Sequence, residues 1–336
     1  MNPVSDTSAT PVSAGESPAD TAAAVTVSPR RGSSARVRRS QVPPAERPRP
    51  LWMLTPGGLL MVLVILVPLA IAFWISLLDL DQYTIRQWTA APFIGIENFV
   101  EAVTSSPLLH GIAISASVAL IVSVLSVPVG VLAALATQNA FRGRGLVRSV
   151  YLIPYILPAF VVASVFRTMF QPAGAVDHMF NLIGVEPGLW LNGPLSYWTL
   201  VIAQLWVSWP FIYLLTLAGL QAVDPEVHEA AAIDGAGWGI KLRRVILPYL
   251  RGSVLLAFLL TFLHNINAFT MPFVLFGIPA PKDIEVLPVL TYMTSFQSFR
   301  FGLSAAMAVA SLALVAIPLF IYLRAVRLDT GEEAKS

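Results

Sequence analysis

Two apolar stretches of the sequence are interrupted by side chains that both donate and accept hydrogen bonds. One carries Gln204, Trp206, Ser208, Trp209 and Tyr213 around Pro210, and the other carries Thr261, His264, Asn265 and Asn267. Amides and hydroxyls match the hydroxyls of a polyhydroxylated ligand, and an aromatic face covers the apolar side of a pyranose ring. Gln204, Trp206, Ser208, Thr261, Asn265 and Asn267 are therefore the candidate substrate-binding residues. The bland account of each is an interhelical hydrogen bond, common in membrane bundles, and for His264 that account ranks first. No catalytic set accompanies them, since His264 has no acid in its own stretch. The chain has no Cys and 4 His, which excludes thiolate metal sites and argues against a conventional metal cluster. No cationic pair interrupts either stretch, which argues against a phosphorylated or carboxylate ligand, because an anion in low dielectric needs a partner.

The elements that must position these residues are membrane helices. Hydrophobic residues make up 56% of the chain and charged residues 12%, against about 25% charged in a soluble domain. Six stretches, at 54–78, 112–136, 150–170, 197–220, 254–276 and 303–323, are long enough to span a bilayer, which takes about 20 apolar residues as helix. The predicted fold class is an all-α polytopic membrane protein with six transmembrane helices. The net charge of +2 is scattered over connecting segments, which excludes a nucleic-acid footprint and reports topology instead. With the N-terminal tail inside, 17 of the 21 Lys and Arg fall in inner segments and 3 (Arg86, Lys282 and Arg300) in outer loops. Both termini are thus expected to be cytoplasmic. Arg167, near the outer end of the third span, is expected to snorkel to the interface. Every span holds proline (Pro68, Pro128, Pro154 with Pro158, Pro210, Pro272 and Pro318), and kinks or local unwinding are expected there.

Residues 1–50 contain 8 Pro, 8 Ser and 7 Arg, too little apolar surface to order the segment, and read as a disordered basic cytoplasmic tail. The pairs Arg30-Arg31 and Arg38-Arg39 mimic a twin-arginine export signal, but the apolar stretch after them is too long and lacks a cleavage site. The domain organisation expected is this tail, a membrane domain at 51–328 with paired helices at 224–248, and a short cytoplasmic tail at 329–336.

The connection at 221–252 is patterned as two helices. Asp224 and Pro225 read as N-cap and first helical position, Gly235 and Gly237 as a turn, and residues 238–247 as a second helix that Pro248 halts. The string EAAAIDGAGWGIKLRRVILP at 229–248 resembles the coupling motif of ATP-binding-cassette (ABC) importer permeases. Glu229, Ala230, Ala231, Gly235, Leu247 and Pro248 match that pattern, with Val245 in place of an isoleucine. FIGIENFV, FRGRGLVRSVYLIPYILP, LWVSWPFIYLL and FGLSAAMAV extend the resemblance, in order, to permeases of the maltose and glycerol-3-phosphate type. FGIPAPKD at 276–283 departs from the Gly-Gly-Gly-Pro turn that such relatives often carry.

The resemblance implies a type I importer permease fold in a bacterial inner membrane. Glu229, Ala230, Ala231, Asp234, Gly235, Leu247 and Pro248 would couple to a dimeric cytoplasmic ATPase. A second, homologous permease would complete a heterodimer, and an extracytoplasmic solute-binding protein would deliver the cargo. By the same resemblance, the sugar-holding positions fall on Gln204, Trp206, Ser208, Thr261, Asn265 and Ala268, the last departing from a polar residue. The implied cargo is a sugar such as trehalose or a maltose-like oligosaccharide; glycerol-3-phosphate or a glycerophosphodiester is the alternative. No Gly-Lys-Ser or Gly-Lys-Thr loop occurs, so ATP and Mg are expected on the partner ATPase, with no cofactor in this chain. An ion-coupled secondary transporter is the rival of a different class, and the lack of acidic or basic residues in the middle of the spans argues against it.

Overall fold

An apolar chain in lipid has one local solution, because a helix pairs its own backbone groups where water is absent. The computed structural model describes residues 55–186, 188–222 and 237–333, and apart from two isolated β-bridges its regular structure is helical. The first crossing is α1, Thr55–Ile75. A short α2, Glu97–Thr104, precedes the second crossing, α3, Leu108–Thr137. Next come α4, Arg144–Ile156, α5, Ala159–Phe170, and a short α6, Ala175–Leu182. The fourth crossing is α7, Ser196–Gln221. After it, α8 covers residues 238–266, followed by α9, Thr270–Phe276, α10, Leu287–Phe296, and α11, Phe301–Glu333.

Two crossings are divided. The 12 residues of α5 rise only about 18 Å, too short for a hydrocarbon core of about 30 Å. The third candidate crossing, Ala159–Leu182, takes in α6 as well, and the chain breaks ahead of it at Leu157, whose ψ of 139° is extended, just before Pro158. That is the expected behaviour of a residue before proline. In the fifth crossing α8 ends at Ile266, and α9 resumes at Thr270.

The expectation that Pro248 halts the second of the paired helices is corrected. Residues 238–266 run through it as one helix. A π turn at Leu242–Ile246 directly precedes Leu247, whose N–H bonds Leu242 O. Proline clashes with the carbonyl four residues back; the wider turn moves that carbonyl, that of Arg244, out of the way. The same device, Val62–Leu66, precedes Pro68 in α1. Pro128, Pro154, Pro210 and Pro318 lie inside helices that continue past them.

The described residues from Pro56 onward form one unit around α3 and α7. These run parallel: Tyr197 OH donates to Ser117 Oγ at 2.9 Å near one end, and Thr137 Oγ1 meets Tyr213 OH at 3.3 Å near the other. Gly130 allows the contact between them, since a Cβ there would lie 2.8 Å from Tyr213 N. The end holding Thr137, Arg144 and Arg148 is termed the basic end here, and the opposite one the far end. Val118, Val122, Leu200, Val201, Met271 and Leu275 pack toward the far end, and Val131, Ala134, Tyr213, Leu217, Ile246 and Leu250 toward the basic end.

Arg167 does not simply reach for the interface as expected. Its guanidinium donates to Val274 O at 2.9 Å, satisfying a carbonyl in the last turn of α9 and pinning α5 to it. An element the sequence reading missed is α10, which lies between the fifth and sixth crossings and packs through Leu287 and Leu290 with Leu108, Leu303 and Met307.

Candidate functional site

Gln204 and Ser208 are four residues apart on α7, and Thr261 and Asn265 four apart on α8, so each pair shares a helix face. All four are buried. The two faces meet in the middle of the bundle: Asn265 Nδ2 donates to Ser208 Oγ at 3.1 Å and to Thr261 O at 2.8 Å. Asn265 is thus held by both helices and fixes the position of the Ser208 hydroxyl. Thr261 Oγ1, by contrast, is buried with no hydrogen-bond partner. A buried hydroxyl left unpaired costs about 1–3 kcal/mol, so Thr261 is held at a local cost in stability.

Beside it lies a cavity of about 240 Å³ lined by Tyr155, Ser208, Phe211, Thr261 and His264, with Val207 and Leu260. Tyr155 and Phe211 stack at a centroid separation of 5.8 Å and form an aromatic wall. Its volume lies below the roughly 300–1,000 Å³ of closed small-molecule sites, so it holds one ring of a ligand at a time. The chemistry is that of a neutral, hydroxyl-bearing ligand: hydroxyl and imidazole groups on one side, aromatic faces on the other, and no carboxylate, ammonium or guanidinium among the lining residues.

Of the six residues singled out from the sequence, Ser208 and Thr261 line this cavity. Asn265 braces it, and Gln204 is buried one turn from Ser208. Trp206 is not brought in. Two positions from either Gln204 or Ser208 is about 200° around the helix, and its ring packs instead on Phe166 at 5.8 Å. Trp209 and Tyr213 belong to a cluster with Tyr151 toward the basic end. Asn267 is exposed at the break between α8 and α9 and lines a separate groove. Tyr155 and Phe211 were missed. The signal for Tyr155 was the proline pair around it, Pro154 and Pro158, which marks where α4 ends and its last turn opens toward α7.

Of the residues expected to couple to an ATPase, Glu229, Ala230, Ala231, Asp234 and Gly235 lie outside the described residues. Leu247 and Pro248 are described, and they follow the π turn at the start of the fifth crossing.

The family described as "Binding-protein-dependent transport system inner membrane component" matches residues 126–327, more than half of the chain. The trehalose/maltose transport system permease protein MalF of Thermococcus litoralis is 28% identical over 274 residues, covering 81% of this chain and 91% of its own. The trehalose transport system permease protein SugA of Mycobacterium tuberculosis is 28% identical over 280 residues, covering 83% and 89%. Among solved structures, a chain of a bacterial ABC transporter involved in the import of the acidic polysaccharide alginate superposes with a TM-score of 0.68 at 20% identity, over 81% of this chain and 94% of that one. That likeness is one of fold.

Proposed function

The chain belongs to the family of binding-protein-dependent transport system inner membrane components, and from that premise we propose that it is the permease subunit of an ATP-driven importer for a neutral di- or oligosaccharide. The observation that carries the sugar reading is the joined pair of faces, Gln204 with Ser208 and Thr261 with Asn265, beside the wall of Tyr155 and Phe211. It supplies hydroxyl and amide partners and an aromatic surface without charge. The names of relatives that carry trehalose and maltose support the same class of cargo.

In this reading the protein sits in a bacterial inner membrane with both termini cytoplasmic. It pairs with a second, homologous permease and receives sugar from an extracytoplasmic binding protein. A dimeric ATPase holds ATP and Mg and drives the cycle. The segment 224–248 docks on that ATPase, with Glu229, Ala230, Ala231, Asp234 and Gly235 at the contact. Its second helix continues through Leu247 and Pro248 into the fifth crossing, so a push on the segment reaches Thr261 and Asn265 along one rod. The motion is a rigid-body switch between inward-facing and outward-facing arrangements. Solute held in the cavity is released when α7 and α8 part.

The test is uptake of labelled trehalose and maltotriose by proteoliposomes holding the full complex. Uptake is expected to need ATP and the binding protein. Asn265→Leu leaves Ser208 without its amide partner and the site without an amide; at about 1–3 kcal/mol for such a loss, uptake falls roughly ten- to hundredfold. Glu229→Lys combined with Gly235→Pro abolishes uptake while the protein still inserts. Sugar uptake driven by an ion gradient without ATP overturns the importer reading, and transport of glycerol-3-phosphate in place of either sugar overturns the cargo.

A further inference from the structure

The chain between the fifth and sixth crossings re-enters the bundle. Leu287 N–H donates to Ser115 Oγ at 2.8 Å. Ser115 lies seven residues, about 10 Å along the helix axis, from the first residue of α3. Gly111 makes room for this approach, since a Cβ there would lie 3.1 Å from Leu290 Cδ2 and 3.3 Å from Glu285 O. From there α10 climbs back to the far end.

The side of α10 turned away from its buried Leu287, Val289 and Leu290 carries Thr291, Tyr292 and Ser295. Together with Asn267 and Phe269 at the break in the fifth crossing, and Ser304 on α11, they line an open groove of about 530 Å³. Its hydrogen-bonding is uneven. Thr291 Oγ1 donates to Leu287 O at 2.8 Å and Ser304 Oγ to Phe301 O at 3.1 Å, so both hydroxyl hydrogens are used within their own helices and both oxygens remain acceptors. Asn267 Nδ2 spends one hydrogen on Leu263 O at 3.0 Å, leaving the other and its carbonyl oxygen to face the groove. Phe269 and Tyr292, with ring centroids 5.3 Å apart, supply an aromatic wall. No lining residue is ionisable below the tyrosine range. An acceptor-rich, uncharged surface with an aromatic wall takes a neutral ligand that brings many hydroxyl donors and one apolar face.

We propose that this groove is a second, outer subsite for a neutral sugar, loaded before the deep cavity and joined to it at the break by residues 264–267. It rests on the reading of the chain as a sugar permease. His264 lines the deep cavity and Asn267, one turn farther toward the far end, lines the groove, so a solute passing the break exchanges one set of partners for the other. The groove has about twice the volume of the deep cavity, which suits arrival of two rings and passage of one at a time.

The chain has no Cys, so Ser295→Cys is a unique reporter. In the full reconstituted complex it is expected to react with a small membrane-impermeant maleimide, and saturating trehalose or maltotriose is expected to slow that reaction by about tenfold or more. Protection persists when Asn265→Leu disables the deep cavity, and it is lost with Tyr292→Ala. The gentler Asn267→Ala, which keeps the break, weakens it by about tenfold in sugar concentration. A wild-type complex that takes up sugar while Ser295→Cys shows no protection overturns the groove and leaves the deep cavity standing. Protection that disappears with Asn265→Leu overturns it as an independent site. A cysteine that never reacts in the assembled complex shows the face covered by another subunit and overturns it as well. Failure of the complex to take up any sugar overturns the deep cavity and the groove together.

Discussion

Asn98 is buried, and its amide donates to Ser76 O at 3.0 Å and Leu78 O at 2.9 Å, two carbonyls that α1 leaves unpaired beyond its end. Gly302 stands against the same carbonyl, because a Cβ there would come within 2.2 Å of Leu78 O. The strings FIGIENFV and FGLSAAMAV, read in the sequence only as a likeness, thus have a local physical reason. FRGRGLVRSV has one too: Arg144 Nε and Arg148 Nη2 both donate to Thr137 O, at 2.9 and 2.8 Å, closing the C-terminus of α3 with positive charge where the helix dipole is negative. At the far end, Arg300 grips Glu101 through both carboxylate oxygens and holds its pKa below the usual 4.5. Both side chains are more than a third exposed, so the pair is worth no more than about 1 kcal/mol. A carboxylate whose pKa is depressed on folding stabilises the protein above its ordinary pKa and ceases to do so as pH falls through the folded value. Glu101→Gln should therefore lower the thermal midpoint slightly at neutral pH, and the gap between variant and parent should close below pH 4.5, read by thermal unfolding across that range.

The six crossings were legible as elements because the length of an apolar run is a direct measure of what lipid will accept. Where the helices deform was less so. Proline marks a missing donor, but whether the helix breaks, widens or continues depends on its neighbours, and only Pro158 sits at a chain break of its own. The short α10 was illegible for the opposite reason. Its ten residues, LPVLTYMTSF, are too few to span, and their place in the bundle depends on Ser115 and the bare Gly111 of another helix. Close approach of backbones, on which α3 and α7 depend, was equally hidden, since every membrane helix carries small residues. It leads to a paired prediction. Alanine in place of helical glycine gains about 1 kcal/mol from propensity alone, and Gly252, with nothing within 4 Å of its Cβ position, should show that gain or none. At Gly130 the new methyl would meet Tyr213 N and Ile212 Cγ2 at 2.8 Å, one of them backbone that cannot rotate away. Overpacking of that kind costs about 1–3 kcal/mol, so Gly130→Ala should melt earlier than the parent and Gly252→Ala should not, measured on the purified protein in one detergent.

For the molecule as a whole, the polar residues picked out in the sequence by their chemistry are brought together by helix phase. Residues four apart on two spans had to share faces, and Ser208 and Asn265 do meet. Phase also explains the failure at Trp206, while Tyr155 and Phe211 were out of reach because their stacking depends on how α4 is cut off before Pro158. The remaining molecular property is which way the bundle faces. Arg142, Arg144 and Arg148 share the basic end with Lys241, Arg243, Arg244 and Arg251, whereas Asp79, Asp81, Glu97 and Glu101 gather at the far end with Arg86 and Arg300. Lys and Arg near the ends of spans set orientation, and Asp and Glu contribute little, so the bias of 17 against 3 predicts that the basic end is inside. With no native Cys, single cysteines report this without background. In intact cells an impermeant maleimide should label Ser105→Cys, exposed at the far end after α2, and should label Ala140→Cys, in the exposed turn between α3 and α4, only after permeabilisation. Ser336→Cys should follow Ala140→Cys, because an even number of crossings returns the chain to the side it left. The reverse pattern would put the groove beside α10 and the segment 224–248 on the wrong faces for delivery from outside and drive from within, and both assignments would fall with it.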